Sequence, residues 1–212
     1  MPRRNRVDPW SDLHAVSTRG LLTGNRGCLV DATGQVVRHH VGSLWISCVT
    51  KLDERRQPLA VLGRWTPIFF LDDAVALAAG HRPCGYCRRD DYRSYRDAVT
   101  RALGLSSPLL ATDLNHCLSR ERHRRGRGID RATDRMVSDA SIDDLPAGTV
   151  IVDAERRPWL LLDDRMLLFG FDGWSTPIDR PARGGVRVLT PPTSVAALTH
   201  GYQPTLHPSA LG

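Results

Sequence analysis

Apolar positions along this chain change their period several times, and each change marks an element. Between 28 and 50 the apolar runs are short. A turn signal at 31–34 (Asp-Ala-Thr-Gly) leads into 35–39 and then 44–49 (Leu-Trp-Ile-Ser-Cys-Val), both of which read as strands. Runs 58–62 and 65–71, parted by Gly63 and Arg64, predict two more strands. The segment 72–79 (Asp-Asp-Ala-Val-Ala-Leu-Ala-Ala) predicts a short helix, with Asp72 or Asp73 capping its first turn and Gly80 at its C′ position. Tyr92, Tyr95, Val99, Ala102 and Leu103 recur at helical spacing and predict a second helix over 90–103, closed by Gly104.

After Gly148 the pattern turns to strands. Runs 149–153, 158–162 and 166–171 predict a meander, 186–189 a last strand, and 193–200 a short helix ending at Gly201. Residues 105–145 have no such period and are crowded with arginine. The expected fold class is α+β: an arm over 1–20, a small metal-stabilised β/α module over 21–104, a basic connector over 105–145 and a β-rich part over 146–212.

Composition sharpens this picture in two ways. With 41% apolar and 25% charged residues in 212, the chain can bury an ordinary core. The net charge of +6 favours anionic partners, nucleic acid among them. All 29 basic residues but Lys51 are arginine, and such a bias also arises from genome composition, so the charge alone selects no partner. The N-terminal residues lead into no apolar signal segment, and no apolar run approaches the ~20 residues of a membrane span. The expected location is therefore cytoplasmic, with no membrane partner.

Reduced thiols in that setting make close cysteines a metal or redox signal rather than a disulfide signal. Cys84 and Cys87 form a C-x-x-C pair on a tight turn favoured by Pro83 and Gly85, suited to grip Zn²⁺ with Zn–S near ~2.3 Å. The helix that starts near Asp90 turns its positive end toward these sulfurs and favours the thiolates. A thioredoxin-like redox reading would need a βαβ context that the upstream strands do not supply. Cys48, near the end of its strand, and Cys28 are the expected second pair. His39, His40 and His81 stand in reserve as ligands, and Cys117 reads as a free thiol.

The stretch 69–88, Phe-Phe-Leu-Asp-Asp-Ala-Val-Ala-Leu-Ala-Ala-Gly-His-Arg-Pro-Cys-Gly-Tyr-Cys-Arg, resembles the end of the Ada-type metal-binding domain of DNA repair. That resemblance implies a structural zinc held by cysteines and transfers the Pro-Cys-x-x-Cys pair to Cys84 and Cys87. The family places its first two cysteines close together, whereas Cys28 and Cys48 are far apart in sequence, so its methyl-acceptor role transfers to no residue here. The whole chain also resembles a set of bacterial, mainly actinobacterial, proteins that share pieces such as Gly24-Asn-Arg-Gly27 and Trp45-Ile-Ser-Cys48. That resemblance implies no activity.

Other chemistry is weaker. Arg26, in the glycine-bearing loop, and Arg120, Arg122, Arg124, Arg125 and Arg127 are the expected phosphate contacts; a turn and a solvated loop are the bland alternatives. Asp8, His14 and Asn25 are the candidate catalytic residues, with His116 behind them. Cys84 and Cys87 match the second half of the zinc-deaminase signature, but no His-x-Glu precedes them. The expected function is a zinc-binding nucleic-acid-binding protein, most simply on DNA in repair or modification. The alternatives are a glycosylase- or nuclease-like enzyme on nucleic acid and a zinc-stabilised interaction adaptor.

Overall fold

The computed structural model describes residues 2–51, 65–123, 126 and 128–212. The expected strand over 58–62 and the residues Arg124, Arg125 and Arg127 lie outside these. The elements are β1 (Arg6–Val7), β2 (Leu13–His14), β3 (Leu22–Asn25), β4 (Ile46–Val49), β5 (Ile68–Phe70), α1 (Asp73–Ala78), β6 (Arg82–Pro83), α2 (Arg89–Ala102) and α3 (Ala111–Arg122). They are followed by β7 (Ser138–Ser141), β8 (Val150–Val152), β9 (Pro158–Leu161), β10 (Arg165–Gly170), β11 (Gly173–Trp174), β12 (Ile178–Asp179), β13 (Gly185–Val188) and α4 (Pro192–Thr199). This is an α+β fold with two sheets.

The first sheet has the order β2-β1-β5-β3-β4-β6. Its centre is antiparallel, but β1 joins β5, and β6 joins β4, in parallel. The second sheet runs β11-β10-β9-β8-β13-β7, with β12 on the edge of β10. One core serves both: Val7, Leu22, Ile68 and Phe70 from the first sheet bury with Val150, Leu160, Leu167 and Leu189 from the second. A smaller cluster joins α2 and α4 through Tyr95, Val99, Ala197 and Tyr202.

Two expected segments take a different form. The residues read as an arm supply β1 and β2, because Val7, Trp10 and Leu13 are buried even though polar residues separate them. The connector contains α3, whose buried apolar residues are Leu114 and Leu118, and β7, which pairs with β13 more than forty residues later. Polar residues between these anchors hid both from a periodicity argument. The run 35–39 makes only an isolated bridge, Val30 to Val36.

Two adjacent carboxylates lock α1 into place. Asp72 caps it, accepting from the Val75 N–H at 3.0 Å, while its other oxygen accepts from Trp174 Nε1 at 2.7 Å and the His207 N–H at 3.0 Å. Asp73 is fully buried and forms a two-pronged pair with Arg88, at 2.6 and 2.7 Å. Arg88 also donates to Ser47 Oγ of β4 at 2.9 Å. Replacing Asp73 by Asn should cost about 3 kcal/mol, because the guanidinium would lose its buried counter-charge and keep only the half-exposed Asp91. Urea denaturation measures this directly, and a cost below ~1 kcal/mol would mean that the pair is not holding α1 to the start of α2.

Candidate metal centre and cationic cavity

Two short stretches of backbone build the thiolate cluster. Cys48 lies on β4, opposite Thr23 of β3. Beside it β6 runs parallel, with Ile46 against Arg82 and Ser47 against Pro83, and the Cys84 N–H extends this ladder to the Ser47 carbonyl at 2.9 Å. The chain then turns through Gly85 and Tyr86 into α2, with the Arg88 N–H bonded to the Cys84 carbonyl at 3.1 Å. Cys84 and Cys87 thereby meet Cys48, and the three Sγ atoms lie within 4.8 Å of one another.

That spacing suits three thiolates sharing one metal ion. The electrostatics favour the first deprotonation at Cys84. Hydrogen bonds from the Cys48 and Cys87 thiols and from backbone N–H groups hold its pKa well below the ordinary thiol value. The Cys48 thiol, donating to that thiolate, is pushed far up. A metal ion removes this conflict by replacing the shared protons.

The other expected ligands are elsewhere. Cys28 follows β3 at the end where Asn25 pairs with Ile46, away from the Cys48 end, and its thiol donates to the Val30 carbonyl at 3.6 Å. The antiparallel register therefore carries Cys28 away from the cluster. His81 is wholly buried between the rings of Trp45 and Phe70, at centroid distances of 4.9 and 4.7 Å. His39 and His40 belong to a second cluster, on the far side of Trp45 in sequence from Cys48.

This second cluster was not foreseen. His39 Nε2 lies 2.9 Å from the Ser11 carbonyl, which can only accept, so Nε2 carries the proton. The neutral ring then accepts at Nδ1 from His40 Nδ1–H, 3.0 Å away. Ser11 Oγ lies 3.0 Å from His123 Nε2, a hydrogen bond that engages this ring nitrogen. Burial, aided by nearby guanidinium groups, pushes His40 down to about 4 and His123 down to about 2. All of these rings are therefore neutral at pH 7.

Arginines surround them. Arg26, expected as a phosphate contact in the glycine-bearing loop, is fully buried, with Nη1 donating to the Ser11 carbonyl at 2.7 Å. Arg122, at the end of α3, donates from Nη1 to the Ser43 carbonyl at 3.1 Å. Both guanidinium groups pack on the Trp45 indole, at 5.0 and 4.3 Å from its centroid. In both, Nε and Nη2 are buried without a hydrogen-bond partner among the described residues. Burial lowers the pKa of each to about 9. Arg135 is used differently, donating to the carbonyls of Arg122, Ala78 and Leu189 and so tying α1, α3 and the residue after β13 together. Of the expected arginines, only Arg120 is exposed among those described.

A cavity of about 290 Å³ opens beside this cluster, lined by His40, Trp45, Ser119, Arg122, His123 and Arg131 among others. No carboxylate lines it among the described residues. Asp8 and His14, the candidate catalytic pair, do meet: His14 Nε2 lies 2.8 Å from Asp8 Oδ2, and that contact raises the His14 pKa. Asp8 also accepts from the Asp12 N–H at 2.9 Å, so the pair closes the β1–β2 turn. Asn25 uses its carbonyl oxygen on the Gly27 N–H at 2.8 Å, again within its own turn. The sequence signal for the cavity was the adjacent histidines His39-His40 near Trp45, with a third histidine, His123, inside the arginine run.

Family models, curated proteins and solved structures offer no match to this chain. Among the described residues no helix is long and apolar enough to cross a membrane.

Proposed function

We propose that this chain is a zinc-stabilised nucleic-acid-binding protein. The observation that carries the reading is the double use of one strand: β4 presents Cys48 to the thiolate cluster, and Trp45, immediately before β4, forms a wall of the cationic cavity. A metal that fixes β4 against β6 also fixes that wall, and the Arg82 N–H to Trp45 carbonyl bond at 3.2 Å reinforces the same joint.

Zinc is the metal that this donor set favours. Three soft thiolates on a turn and a strand select zinc over the oxygen-preferring cations. Cys48, Cys84 and Cys87 would hold it, and its contribution would be to the fold. For the anionic partner the support is the net charge, Arg120 on the surface of α3, and the uncompensated cations behind it.

An oligonucleotide titration tests the reading. Affinity for DNA should fall at least about tenfold between about 50 and about 200 mM salt, as expected for displacement of several counterions. It should fall again when zinc is chelated. Binding that ignores both salt and chelator would sink the proposal and favour the interaction adaptor.

A further inference from the structure

We infer that the cavity beside Trp45 is a phosphate-monoester site, walled by Arg122, Arg131 and His123. Its assignment to the terminal phosphate of a nucleic acid rests on the reading above; the phosphate chemistry does not.

The argument begins with charge. Arg26, Arg122 and Arg135 are buried within one region, and their positive charges are met largely by carbonyl oxygens and the indole face. Carboxylates nearby are committed elsewhere. Asp12 accepts from the Arg131 and Ala132 N–H groups at 2.6 and 3.2 Å and lies 3.8 Å from His39. Asp134 pairs with Arg131 at 3.0 Å, and Glu121 accepts from Thr193 at 2.9 and 2.7 Å. Arg122, which lines the cavity, leaves Nε and Nη2 without a hydrogen-bond partner among the described residues. Both of these Arg122 nitrogens are buried beneath the cavity wall, so what the side chain offers an anion in the cavity is its charge. Uncompensated buried cations are costly, and an anion in the adjoining cavity offsets that cost.

The donors fit an oxyanion. His123 lines the cavity, and a neutral imidazole carries one N–H that can donate to an oxyanion. Arg131 adds a second guanidinium to the lining, already paired with Asp134. The site is also a pocket rather than a track. Arg122 is only 2% exposed, so a continuous phosphodiester backbone would have to bury flanking nucleotides to reach it, whereas a terminal phosphate enters end-on with up to two negative charges.

The test uses the whole zinc-loaded protein. Inorganic phosphate should bind at one site per chain by calorimetry. It should raise the unfolding temperature by about 5–10 °C at a concentration a hundredfold above Kd. Arg122→Met should weaken phosphate binding at least tenfold, yet unfold a few degrees higher than wild type in phosphate-free buffer, because it removes a buried unpaired charge. His123→Ala, at a less buried position, should weaken binding without that gain. Oligonucleotides with and without a 5′-phosphate identify the source, the phosphorylated one binding at least tenfold more tightly. Phosphate binding with no difference between the oligonucleotides would support the pocket, assign it to small phosphorylated molecules and count against the nucleic-acid reading alone. No phosphate binding by wild type, or unchanged binding by both variants, would overturn the inference.

Discussion

Replacing Cys84 by serine is expected to release the metal and unfold at least the first sheet. A serine hydroxyl stays protonated at neutral pH and cannot replace a thiolate. The lost sulfur also belongs to the residue whose N–H extends the β4–β6 ladder and whose carbonyl receives the first bond into α2. Structural zinc supplies about 10–16 kcal/mol in finger peptides. Even half of that rivals the ~5–15 kcal/mol that stabilises an ordinary domain. Elemental analysis should find one zinc per wild-type chain and almost none in the variant, with far-UV dichroism lost in parallel. Cys28→Ser should keep its metal, since that thiol is bonded to the Val30 carbonyl instead. A variant at position 84 that folds normally, or wild type prepared without chelators that carries no metal, would remove the metal from this account.

Acidification is expected to unfold the protein within a narrow range below neutrality. Burial lowers the pKa of His39, His81 and His123, so the folded state refuses protons that the unfolded chain accepts near pH 6.5. The sign follows from linkage. Above pH 6.5 these rings are neutral in both states and contribute nothing to pH dependence. Below it, stability falls by about 1.4 kcal/mol per pH unit for each ring that stays neutral in the fold. At pH 5 that amounts to about 2 kcal/mol each, or about 6 for the three, a large part of a typical folding free energy. His40, held at about 4, is also neutral in the fold at pH 5 and adds a comparable amount there. Thermal scans should give a flat midpoint above pH 7 and one lower by more than about 10 °C at pH 5. Acid also strips metal from thiolates, and His81→Leu separates the two causes. It should leave metal content unchanged and shallow the pH dependence by one proton, whereas an unchanged slope would assign the acid transition to the metal.

Much of the fold could be read from the pattern of residues. Helices α1, α2 and α4 lie where periodicity and a following glycine place them, and α1 has an acidic cap besides. Asp72 caps α1, and Gly80, Gly104 and Gly201 follow the three helices with positive φ. The meander β8–β10 coincides with three apolar runs parted by turns. What local pattern could not show was structure held by long-range contacts. Strands β1 and β2 have two residues each and exist because β5 pairs with β1. Strand β7 exists because β13, more than forty residues later, pairs with it.

The same division runs through the site. The C-x-x-C spacing by itself determined that Cys84 and Cys87 share a turn, because four consecutive residues leave the two sulfurs little freedom. The sequence also put Cys48 on a strand. Only tertiary structure chose Cys48 over Cys28 for the cluster, since that choice depends on the β3–β4 register, and register is set by which face of each strand is buried. Arginine content likewise told of positive charge but not of its direction. The fold turned Arg26, Arg122 and Arg135 inward, where carbonyl oxygens and the Trp45 indole receive them, because those partners come from segments far apart in the chain and meet only when both sheets close on one core.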